Sequence, residues 1–176
     1  MAYYDFSRGS RCVTSTFLFL KTLHIICAAI LFGTGVGTAF FCWFGYRHAL
    51  KVGEIAALRS VLRLTVIADA VFTAPAVLLQ ATTGIAMMLI LGWPLTSAWA
   101  LSVFALFVLT GVCWLPVVWL QIQLNREAQK VASIAELTPM FHRRFRLWFV
   151  LGVPAFIAVM VLYYLMVAKP LSIATG

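Results

Sequence analysis

Four long apolar stretches, at about 17–44, 64–91, 97–124 and 147–168, alternate with short polar ones along the 176 residues. Each exceeds the roughly 20 residues that an α-helix needs to cross the hydrocarbon core of a bilayer. Backbone groups in lipid need internal partners, and a helix supplies them within one segment. The pattern therefore predicts an all-α polytopic membrane protein, a single four-transmembrane-helix bundle over 1–176. Ser15 or Thr16 is available to cap the first helix. Gly92-Trp93-Pro94 marks a turn between the second and third. The connector 129–142 is long enough for an amphipathic helix on the membrane face. Val131, Ile134, Ala135, Thr138 and Phe141 fall at helical spacing there, interrupted by Pro139.

Composition agrees with this pattern and charge orients it. Hydrophobic residues are 64% of the chain and charged ones 10%, a balance that excludes a soluble globular domain. The net charge of +8 comes from 13 Lys and Arg against 5 Asp and Glu. Arg47, Lys51, Arg59 and Arg63 lie in the first connector, and Arg126, Lys130, Arg143, Arg144 and Arg146 in the third. The middle connector has no basic residue, and the termini hold Arg8, Arg11 and Lys169. That distribution follows the positive-inside rule and excludes nucleic acid as the partner. Both basic connectors are expected in the cytoplasm and both termini outside. Trp93, Trp99, Tyr163 and Tyr164 would form the outer aromatic belt. Cys12, Cys27, Cys42 and Cys113 make no C-x-x-C pair and read as small hydrophobes. The first apolar run is too long for a signal peptide and carries Lys21 within it.

Polar side chains inside the apolar stretches are the candidates for function, because lipid makes them expensive. Lys21 and His24 stand one turn apart on the first helix. His24 lies about 10 Å in from the helix end at 1.5 Å per residue. Gly35 clears space on its face, while Ala29, Gly33 and Gly37 form a small-residue stripe suited to packing or homo-oligomerisation. On the second helix Asp69, Thr73, Ala76, Gln80, Thr83, Gly84 and Met87 recur at spacings of three and four. That stripe would face the bundle interior. Two meanings stay open for His24: a ligand for a cofactor, or a neutral ring hydrogen-bonded across helices to Gln80 or Thr83.

The sequence Leu20-Lys21-Thr22-Leu23-His24, followed by glycines, resembles the first helix of HemJ-type protoporphyrinogen oxidases and CopD-like membrane proteins. More of the chain resembles a bacterial inner-membrane family, domain of unknown function 2269. Asp69 to Gly84, Cys113-Trp114-Leu115-Pro116-Val117-Val118, Arg144 to Pro154 and Leu165 to Pro170 carry that likeness. The HemJ-type resemblance implies haem b, with His24 as iron ligand and Lys21 beside it.

Three functions compete on these residues. The first is haem b binding through His24, with Lys21, Gly35, Gln80 and Thr83 around the cofactor and a redox or porphyrin-related role. The second is a non-enzymatic membrane subunit held by helix packing through Ala29, Gly33 and Gly37. The third is a small transporter using Asp69 and His24.

Overall fold

In a computed structural model, which describes residues 3–168 and side chains from Val13 onward, the chain is helical almost throughout. Arg8, Arg11, Cys12 and Lys169, named above for charge or thiol chemistry, have side chains outside the described residues. The helices are α1 (Tyr3–Val52), α2 (Ile55–Ala68), α3 (Ala74–Ile90), α4 (Ala98–Lys130) and α5 (Pro139–Ala168). A π-helical turn, Asp69–Thr73, joins α2 to α3, so that Ile55–Ile90 is one continuous span. Four helices are long and apolar enough to cross a membrane, giving a four-helix membrane bundle.

Each helix outruns its apolar stretch. α1 starts well before Ser15 and Thr16, which sit inside it, not at its cap. It continues through Tyr46, Arg47 and His48 to Val52, where Gly53 (φ 82°) donates its N–H to the Ala49 carbonyl at 2.8 Å. Only glycine adopts that left-handed conformation freely, so the helix ends there. α2 resumes at Ile55, so the first basic connector shrinks to a two-residue turn. Helix propensity does not stop at the edge of the apolar run, and Leu, Arg, Ala and Lys extend the ladder into water. The amphipathic helix anticipated over 129–142 does not form. Residues 131–138 are extended apart from a 3₁₀ turn at Ile134–Glu136, and Pro139 opens α5. Proline suits the first turn of a helix, where its missing N–H would be unpaired anyway. Pro116 and Pro154 sit inside α4 and α5 without ending them.

The packing is uneven along the bundle axis. α1 lies against α2 and α3, α4 lies against α5, and α2 against α4 joins the two pairs. The largest buried cluster gathers at the basic end, from Cys42, Ala49, Ile55, Leu58, Leu62, Leu120, Leu124, Ala128, Leu137, Phe141, Phe145 and Trp148. Tyr46 stacks on Phe145 with ring centroids 4.0 Å apart and hydrogen-bonds Nδ1 of His142 at 2.5 Å. The Arg59 guanidinium donates to the carbonyls of Ala128 and Val131, closing the C-terminal end of α4. That end carries unpaired carbonyls and partial negative charge, so a cation belongs there. Arg144 pairs with Glu127 nearby.

At the opposite end Ser97 caps α4 by accepting the Ala100 N–H. Trp93 stacks on Trp99 at 4.9 Å, and Trp99 donates to the Leu165 carbonyl. Three of the four belt aromatics thus meet this end through contacts, as Tyr163 also packs edge-on against Phe32. Tyr164 is exposed.

Candidate functional site

Asp69, Thr73, Ala76 and Thr83 of the polar stripe are buried and Gln80, Gly84 and Met87 half-buried, and the stripe serves two separate clusters. The division comes at the π turn. Pro75 has no N–H and its ring crowds the carbonyl four residues back, so the α ladder cannot run through this point. The Ala74 N–H reaches instead to the Asp69 carbonyl, five residues back. Such single π turns insert an extra residue and are frequent at functional sites.

The first cluster is built around His24. Its Nδ1 lies 2.8 Å from Thr83 Oγ1 and its Nε2 lies 2.8 Å from Gln80 Nε2. Thr83 is buried, and its hydroxyl reaches the Leu79 carbonyl at 2.5 Å. Gly84 lets the ring lie against α3: a Cβ there would stand 3.2 Å from His24 Cε1. The structure thus brings His24, Gln80 and Thr83 together. It leaves out the two other residues expected with them. Lys21 is exposed and, among the described residues, has no ion-pair or hydrogen-bond partner. Gly35 is exposed too, and among the described residues no atom beyond the adjoining helix backbone lies within 4 Å of the place its Cβ would take.

The second cluster is built around Asp69, which is 8% exposed. Thr73 donates to its Oδ1 at 2.7 Å and Gln121 Nε2 to its Oδ2 at 2.6 Å. Trp148 Nε1 donates in turn to Gln121 Oε1 at 3.2 Å. This chain ties the π turn to α4 and α5. Asp69 therefore bonds within its own span and to α4, and shares no hydrogen-bond partner with His24 among the described residues. Near it Cys42 contacts Thr65 Oγ1 at 2.9 Å, linking α1 to α2. No local signal in the sequence pairs Gln121 with Trp148, because nothing local says which way an indole N–H points.

Among the described residues no group of three or more His, Cys, Asp and Glu is placed to hold a metal ion. Haem b is the cofactor that the likeness to HemJ-type enzymes implies, and the residues as arranged do not fit it. The Nε2 lone pair that would reach iron faces the Gln80 amide. α3 also lies against the ring, with Gly84 facing its Cε1.

The fold and its buried polar clusters define a polytopic helical integral membrane protein. Within that class, the family of predicted integral membrane proteins DUF2269 matches residues 18–170, and the chain belongs to it. No curated protein and no solved structure matches the chain.

Proposed function

We propose that the chain is a non-enzymatic subunit of a bacterial inner-membrane assembly, in which α1 docks a helix of a second copy through Ala29, Gly33 and Gly37. The observation that carries this reading is that α3 occupies both ring nitrogens of His24. The polar groups at depth then act as ties between helices, the role such bonds commonly have in membranes. What remains available on α1 is its small-residue stripe. Ala29 and Gly33 are exposed, and among the described residues no atom beyond the adjoining helix backbone lies within 4 Å of a Cβ placed on Gly33 or Gly37. Without a hydrophobic drive between helices in lipid, close approach over small residues is what brings them together.

Crosslinking and native mass spectrometry of protein in mild detergent test this. Wild-type protein should run as a dimer or larger. Gly37→Leu should run as a monomer with unchanged helicity, because no side chain of its own chain is in the way. A monomeric wild type sinks the reading. An absorption spectrum of the same sample tests the haem alternative: a Soret band that disappears in His24→Ala would mean that Gln80 yields its place to iron.

A further inference from the structure

The hydrogen bonds around His24 determine where its proton sits. Thr83 has one hydroxyl proton, and the Leu79 carbonyl takes it. The Thr83 oxygen is therefore the acceptor toward His24, and Nδ1 carries the ring proton. Nε2 is left bare and accepts an N–H from the Gln80 amide. The other end of that amide, Oε1, is buried and, among the described residues, has no hydrogen-bond partner. Buried acceptors of this kind are rare in folded proteins, and each calls for an explanation.

We propose that His24, Gln80 and Thr83 form a proton-binding site within the membrane span. A proton added to Nε2 makes the ring a donor on both sides. The Gln80 amide then turns about its Cγ–Cδ bond and presents Oε1 to Nε2–H, while Nδ1–H keeps its bond to Thr83. No helix has to move, because a primary amide offers a donor and an acceptor at nearly the same place. The turn carries the NH₂ group to where Oε1 stood.

The charges around the ring are few. On α1 Lys21 stands one turn away, at a spacing where neighbouring Cβ atoms are about 5–6 Å apart, and Cys27 follows three residues later. α3 carries no Asp, Glu, Lys, Arg or His between Ala74 and Ile90. Asp69 is held by Thr73 and Gln121, and Arg59 and Arg63 lie toward the basic end of α2. Cys113 on α4 and Tyr163 and Tyr164 on α5 are the titratable groups in the corresponding part of the other pair. The imidazolium is thus held by neutral hydrogen bonds and opposed by Lys21.

The test is a ¹⁵N NMR titration of histidine-labelled protein in lipid nanodiscs, with His24→Gln used to assign the signal. The expected His24 ring is the Nδ1–H tautomer at high pH and doubly protonated at low pH, with the bundle folded throughout. Gln80→Leu should cut the doubly protonated population about tenfold at matched pH, since a hydrogen bond to a charged group is lost. Lys21→Gln, at an exposed position, should increase it. A wild-type ring that stays singly protonated down to the pH at which the bundle unfolds overturns the proposal. So does a folded Gln80→Leu protein that titrates as the wild type does; should that variant not fold, the wild-type titration decides alone.

Discussion

Asp69 meets a donor at each carboxylate oxygen, one from its own helix and one from α4. Gln121 is 1% exposed and spends both ends of its amide, one on Asp69 and one on Trp148. A buried group that loses its partner costs the full price of its desolvation, about 1–3 kcal/mol. Asp69→Leu leaves the Thr73 hydroxyl and the Gln121 amide unpaired, and should lower stability by roughly that amount. Asp69→Asn keeps an acceptor for Gln121 and should lose less. Unfolding by SDS in mixed micelles, followed by helicity, compares the two. Equal losses would mean that the acceptor kept by Asn contributes nothing and that the charge of the carboxylate is what holds Gln121. At this scale the sequence was informative about which residues are polar at depth: His24, Gln80, Thr83 and Asp69 all stood out. It also offered Gln80 or Thr83 as the partner of His24, and the ring meets both; it was silent on the partners of Asp69, because a helical stripe lists candidates for contact without saying which neighbour each one meets.

The second span shows how a single residue shapes an element. Pro75 forces the turn at Asp69–Thr73 to open, and the added residue offsets α2 from α3 by about 100° relative to a straight helix. That offset lets Thr83 and Gln80 face α1 while Asp69 faces α4. Pro75→Ala should let the turn close, and in doing so pull Asp69 off Gln121. Its destabilisation should then overlap with that of Asp69→Leu. In a double-mutant cycle the pair should fall short of additivity by roughly 0.5 kcal/mol or more. Strict additivity would separate the π turn from the Asp69 cluster. The helix ends teach a related lesson. Arg59 read as loop charge, yet it lies in α2 and closes the end of α4. Basic residues near a membrane surface serve the positive-inside rule and cap helices at once.

For the molecule as a whole, burial is concentrated at the basic end. Phe145 is fully buried and stacks on Tyr46, whereas Phe156 is 42% exposed and stacks on Phe32 at 5.6 Å. Truncating a fully buried phenylalanine costs about 3–5 kcal/mol. Phe145→Ala should approach that figure in the SDS titration, and Phe156→Ala should fall below half of it. Similar losses at the two sites would show that the far end is packed as tightly as the basic end. The imbalance leaves the small-residue face of α1 unoccupied within the chain, and that face is where assembly is proposed to occur.

The number of spans, their approximate places and the basic end were written in the chain itself. Runs of apolar residues and the position of Lys and Arg act locally against lipid and water, with no need for a partner. The length of each helix beyond its apolar run, the split of one polar stripe into two clusters, and the engagement of both nitrogens of His24 were decided by tertiary structure. Each of those depends on which helix lies beside which, at a separation of 52 to 59 residues along the chain for the contacts that matter most. Periodicity orients a side chain about its own axis, and only packing supplies the group at the other end of the bond.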